Sequence, residues 1–237
     1  MSPLSQSVTD ASSGLRSFSA VWQRELQLGW RGIGDFLVQS VFFIMIAMLF
    51  PLAVGPAPAA LTELAISLIW IAALLSALPG FDRMFADDFR SGWLEQVCLS
   101  AQPLWLYVIA KITSWLVLSI LPLGGVLPIL FVFFNLPFSL FFIIFGALCL
   151  SLTGLTCLGA ITASLTIGAR RTSLLVALLI LPLSLPVLIF GVLSAEAALW
   201  GEAVASHLKL LGGTVLFLGV LGPFASAHAL KTALEER

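Results

Sequence analysis

Residues 38 to 52 read Val38-Gln39-Ser40-Val41-Phe42-Phe43-Ile44-Met45-Ile46-Ala47-Met48-Leu49-Phe50-Pro51-Leu52, and residues 140 to 150 read Leu140-Phe141-Phe142-Ile143-Ile144-Phe145-Gly146-Ala147-Leu148-Cys149-Leu150. Neither stretch alternates apolar with polar side chains, so neither has the dyad period of an outer-membrane barrel strand. A nearly unbroken apolar run that enters hydrocarbon satisfies its own backbone only as a helix. About 20 helical residues cross about 30 Å of hydrocarbon. By that length rule the chain carries six spans, at 34–53, 63–80, 104–132, 137–167, 173–193 and 207–230. The expected fold is an all-α polytopic membrane protein with six transmembrane helices.

Composition agrees. Hydrophobic residues make up 60% of the chain and charged residues 10%, against roughly 25% charged in a soluble domain. A formal net charge of -1 without a basic stripe excludes nucleic acid as an expected partner. Ten of the eleven Lys and Arg, among them Arg24, Arg31, Arg83, Arg90, Lys111, Arg170, Arg171 and Lys231, fall toward one side if six helices alternate, and Lys209 falls on the other. The positive-inside rule then predicts both termini, the 81–102 loop and the 168–172 loop in the cytoplasm. Residues 1–14 read as a polar extension without the apolar core of a cleavable signal peptide.

Within 15–33, Leu15, Phe18, Trp22, Leu26, Trp30 and Ile33 recur at three- and four-residue steps, with Arg24 and Arg31 opposite. That stripe predicts an amphipathic helix in the cytoplasmic interface, either a plain anchor or an elbow bracing a transporter domain. Residues 34–230 form the permease domain and 231–237 a cytoplasmic tail. Pro51, Pro56 and Pro58 predict a tight outer connector that ends the first span. Pro182 and Pro186 each remove a backbone donor, so the fifth span is expected to kink or partly unwind there, and the pair is a candidate hinge. Small residues crowd the fourth span from Gly146 to Gly168, which places that helix in the middle of the bundle or at a subunit interface.

No G-x-x-x-x-G-K-[ST] loop occurs, so any ATP belongs to another subunit. No zinc or haem-attachment motif and no G-x-S-x-G elbow occurs either, which leaves an intramembrane enzyme the weakest reading. Cys98, Cys149 and Cys157 form no C-x-x-C pair and read as reduced structural thiols. The two histidines, His207 and His228, sit 21 residues apart on one span. At 1.5 Å per residue that is about 31 Å, too far for one iron. Lys111 lies inside an apolar stretch and either snorkels to the headgroups or makes an intramembrane polar contact.

Between the second and third spans, residues 81 to 96 hold six charges and four aromatics. Phe81, Met84, Phe85 and Phe89, then Trp93, Leu94 and Val97, fall at helical spacings on either side of Ser91-Gly92. Two short amphipathic turns are expected, with apolar faces on lipid or in a partner's groove. Asp82, Arg83, Asp87, Asp88, Arg90 and Glu95 are placed for charge-assisted hydrogen bonds.

Several motifs in order resemble the CcmB family. They are 49–56 (Leu-Phe-Pro-Leu-Ala-Val-Gly-Pro), 69–76 (Ile-Trp-Ile-Ala-Ala-Leu-Leu-Ser), Asp87-Asp88 followed by Gly92-Trp93-Leu94-Glu95-Gln96, 181–186 (Leu-Pro-Leu-Ser-Leu-Pro), and Ser226 within 222–227 (Gly-Pro-Phe-Ala-Ser-Ala). The resemblance runs from about Arg24 to Leu230. It implies an ABC-2-like permease in the bacterial inner membrane, the membrane subunit of the haem exporter of cytochrome c maturation. It further implies a separate CcmA-type ATPase, CcmC-type and CcmD-type membrane partners, a homodimer within the complex, and contact with membrane lipid. ATP would sit on the partner and haem would be substrate rather than a stably bound cofactor. The family pattern maps onto Asp82, Arg83, Phe85, Asp87 and Asp88, and with Phe81, Trp93 and Glu95 these are the expected ATPase-coupling residues. Ala86 and Trp93 depart from it, where a basic and a small residue are usual. A conformational adaptor, which releases a haem-loaded chaperone from a CcmC-type partner without carrying haem, is the alternative. A permease for another lipid-soluble compound is a third reading.

Overall fold

The computed structural model describes residues 18–54, 58–100, 102–169 and 172–235. The polar extension 1–14, Leu15, Pro56, Arg170, Arg171 and the end of the tail lie outside the described residues. Among the described residues every regular element is helical. Six helices are long and apolar enough to cross a membrane, as the length rule requires.

Helix α1 covers residues 18–31. A turn at Gly32, whose N–H donates to the Leu28 carbonyl at 3.0 Å, leads into α2 (Ile33–Val54). Of the apolar stripe, Phe18, Trp22, Leu26 and Ile33 are half-buried. Trp30 is 61% exposed, whereas Glu25, one helical step off the stripe, is 5% exposed. Gly29 shares that inward face, and a side chain there would strike Leu118. The missing Cβ lets α1 approach its neighbour closely.

Helix α3 (Pro58–Phe81) starts on a proline, a residue suited to the first helical turn because its missing N–H would be unpaired there. Two short helices follow, α4 (Ala86–Arg90) and α5 (Trp93–Leu99). Gly92 between them has φ 74°, a left-handed conformation that a side chain would strain. The two predicted turns and their break at Ser91-Gly92 are thus present. Helix α6 (Leu104–Phe133) runs through Pro122 and Pro128. It ends on Asn135 at φ 55°, with the Leu136 N–H on the Phe131 carbonyl at 2.9 Å, the closing bond of a Schellman cap. A single 3-10 turn (Phe138–Leu140) precedes α7 (Phe141–Leu165), and α8 (Thr172–Trp200) and α9 (Val204–Glu235) complete the chain.

Helix α7 is the axis of the bundle and packs on α9, α8, α6 and α3. Lipid tails are as apolar as leucine, so what holds membrane helices together is close van der Waals packing. The small residues of α7 provide it. Phe81 lies on Gly159, where any side chain would collide with its ring, and a methyl at Gly154 would meet Val187 at 3.1 Å and Val215 at 3.3 Å. The hydroxyls of Ser151, Thr153, Thr156, Thr162 and Thr166 donate to carbonyls one turn back at 2.7 to 3.0 Å, so the polar atoms of this axis are satisfied inside the helix.

Pro51 lies inside α2, which continues to Val54, so the connector begins after it, and α8 is continuous through Pro182 and Pro186 without an unwound segment. Helix α8 also runs past the expected end at 193 to Trp200, where Ser67 donates to Glu196 at 3.2 Å.

Midway along the bundle, Trp70 Nε1 donates to Ser151 Oγ at 2.9 Å. Both sit against Gly191 of α8, where an added Cβ would land on the indole nitrogen and 2.5 Å from the serine oxygen. Gly191→Val is expected to lower thermal stability in detergent, with overpacking costing about 1–3 kcal/mol. Gly213→Val, where a side chain meets open space, should leave the unfolding midpoint unchanged, and equal midpoints for the two variants would contradict this packing.

Candidate functional site

Tyr107 and Lys111 stand one turn apart on α6, so they share a face. Lys111 is 8% exposed. Its ammonium does not snorkel out. It donates to Glu25 Oε2 at 2.6 Å and to Asp88 Oδ2 at 2.5 Å, a buried polar contact. The same Asp88 oxygen accepts the Tyr107 hydroxyl at 2.6 Å, and Asp88 Oδ1 accepts Arg24 Nη2 at 3.2 Å. Arg24 is also paired with its neighbour Glu25, and its guanidinium lies 4.0 Å above the Trp93 ring. Four elements therefore meet here: α1 through Arg24 and Glu25, α4 through Asp88, α5 through Trp93, and α6 through Tyr107 and Lys111.

The energetics follow from burial. Removing an ion from water costs several kcal/mol even after relaxation, and only close, hydrogen-bonded partners offset it. Two cations and two carboxylates give the cluster no net charge. Breaking such a buried pair from one side typically costs about 3–5 kcal/mol, because the other charge is left unpaired. The outer charges of the same end behave differently. Arg83 meets Asp35 at 3.2 Å and Arg90 meets Asp87 at 3.6 Å, all four side chains more than 60% exposed. Asp82 accepts the Ser173 hydroxyl from the start of α8. A polar cleft of about 550 Å³ opens among these residues, between α2, α4 and α8.

The expected coupling residues divide into two groups. Phe81 is 2% exposed, Phe85 1% and Asp88 5%, and Met84, Leu94 and Val97 are buried with them. The apolar side chains just before α4 and on the inner side of α5 thus lie in the protein's own core, while Phe89 and Trp93 are half-buried. Fully burying one such phenylalanine stabilises by about 2 kcal/mol, enough to explain the choice. Asp82 and Trp93 are half-buried, while Arg83, Asp87 and Glu95 are exposed. Pro182 and Pro186 stand inside α8, away from this cluster.

Glu25, Arg24 and Tyr107 escaped the sequence reading as site residues. The available signal was a cation inside a span with no named counter-ion, next to a carboxylate on a helix expected at the same depth. His207 is half-buried with Nδ1 unpaired, and His228 is exposed at the other end of α9. Cys98 is exposed on α5. Partial burial pushes its thiol up, against the pull of Lys231.

Comparison with known proteins places this arrangement. The profile of the family described as CcmB protein matches residues 16–233. Heme exporter protein B of Haemophilus influenzae is 39% identical over 218 residues, covering 92% of this chain and 99% of that protein. Heme exporter protein B of Pseudomonas aeruginosa is 39% identical over 219 residues, with 92% and 98% covered. The Escherichia coli protein of the same name is 34% identical over 218 residues, with 92% and 99% covered. This chain belongs to the CcmB family.

Proposed function

We propose that this protein is the membrane-spanning subunit of an ATP-driven haem exporter serving c-type cytochrome biogenesis. The observation that carries the reading is the α4–α5 element, which buries its apolar face in the bundle and turns Arg83, Asp87, Arg90 and Glu95 outward. A short charged element fixed to membrane helices suits the receipt of movement from a soluble partner. Without a phosphate-binding loop of its own, the chain relies on a separate CcmA-type ATPase, and CcmC-type and CcmD-type subunits complete the complex. The distribution of Lys and Arg supports an orientation with this end and both termini on the cytoplasmic side of the membrane, which in this reading is a bacterial inner membrane. ATP-driven closure of the ATPase would move the element through contacts that differ between the two states.

The residues that meet the partner are the exposed ones. Asp87→Lys together with Glu95→Lys is expected to reduce recovery of the ATPase on this subunit about tenfold, as reversed rim charges weaken association, while membrane insertion is unchanged. Full recovery of the ATPase would refute docking at this face.

A second reading, the conformational adaptor that releases a haem-loaded chaperone without passing haem, draws on the placement of His207 and His228 at opposite ends of α9. His207→Ala with His228→Ala is expected to leave c-type cytochrome assembly intact, and complete loss would make one of them a ligand. ATP-dependent haem movement in proteoliposomes holding this chain and its ATPase, without a CcmC-type partner, supports export. Turnover without haem movement supports the adaptor.

A further inference from the structure

Helix α4 has five residues, fewer than two turns, and a helix that short does not hold itself together in water. Its placement depends on its contacts. The polar one is Asp88, whose two oxygens take bonds from Lys111, Tyr107 and Arg24. Lys111 stands on a 30-residue helix that packs against α7 and α9 of the bundle core, so it is the fixed end of this contact. It is also bound to Glu25, on a different element and 86 residues away in sequence. The ammonium thus joins a carboxylate of α1 to one of α4 from α6, and Arg24 is the second cation that meets both.

We propose that Lys111 and Glu25 are positioning residues for energy coupling: through Asp88 they set where α4 stands relative to α1 and α6. This rests on the assignment of α4–α5 as the coupling element. Movement imposed on α4 is carried by Asp88 to Lys111, and by Lys111 to both α6 and α1. The cluster adds no apolar contact that could slide. Its bonds are directional, and α4 has one register in which all of them form.

The proposal has a sign that a packing role lacks. Lys111→Met removes one of the two cations that Glu25 and Asp88 share and leaves both carboxylates to Arg24 alone, so the site carries an excess negative charge that loosens α4 from α1. Glu25→Gln in that background removes one of the two charges, while Arg24 and Tyr107 still hold Asp88, so α4 returns. A second substitution in a site that was only filling space would add to the damage.

The test uses the full chain in nanodiscs. Its three cysteines are replaced by alanine. Spin labels at Gln27→Cys and Arg90→Cys, both exposed, report the distance between α1 and α4. Labels at Leu178→Cys and Phe217→Cys, on the lipid-facing sides of α8 and α9, report on the bundle. Lys111→Met is expected to lengthen and broaden the first distance and leave the second alone, and Glu25→Gln/Lys111→Met to restore it. In the complex, ATP turnover stimulated by this subunit should fall about tenfold in the single variant, within the usual range of coupling between sites, and recover in the double. An unchanged first distance, a double variant displaced as far as the single, or a shift of the bundle labels would each overturn the positioning role. Distances that move and recover while turnover stays constant would keep the positioning role and remove α4–α5 as the coupling element.

Discussion

A charge buried in the protein must be met by its opposite, and at Lys111 that requirement organises one whole end of the molecule. The ammonium is one helical step beyond Tyr107, buried, and bound to carboxylates from two other elements. Neither carboxylate lies on a membrane span of its own. Glu25 comes from the helix before the first span and Asp88 from the five-residue helix after the second. The neutral cluster therefore gathers α1, α4 and α6 at one point, with Trp93 of α5 closing over Arg24.

The opposite constraint governs the middle of the bundle, where polar atoms are few and packing is the main attraction. There α7 carries glycines at the places where Phe81 and Val187 arrive, and α8 carries Gly191 where Trp70 arrives. Helix α3 is thereby fixed twice, by its indole in the centre and by Phe81 at its end. The element that follows, α4, starts from a helix that is already held on the axis of the bundle. Its remaining freedom is the direction in which it leaves α3, and the Asp88 contacts settle that direction.

Much of this was legible in the sequence. Six spans follow from run length, the central place of α7 from Gly146 to Gly168, and the break between α4 and α5 from Ser91-Gly92, because each depends on local chemistry. Helix ends were less legible. A hydropathy run stops being apolar near 193, yet α8 goes on to Trp200, since Ala195, Ala197 and Ala198 are buried against neighbours and Glu196 accepts a bond from Ser67. Pro51 likewise lies within α2 and does not mark its end. The cluster was the least legible part, because Asp88 finds partners 19, 23 and 64 residues away. The stripe on α1 identified the helix and left the buried Glu25 beside it unread.

The two layers of charge at this end differ in what it takes to change them. The inner layer, Arg24, Glu25, Asp88 and Lys111, is desolvated, so loss of any one partner strands another at a cost of several kcal/mol. The outer layer, Arg83 with Asp35 and Arg90 with Asp87, sits in water, where an ion pair contributes about 0–1 kcal/mol and exchanges readily. Outer charges can thus leave their present partners for those of an incoming protein almost without penalty, while the inner layer keeps α4 in register as they do so. A soft face on a hard mount is what transmission of a push requires: if the mount gave way as easily as the face, binding energy would deform α4 and never reach α6.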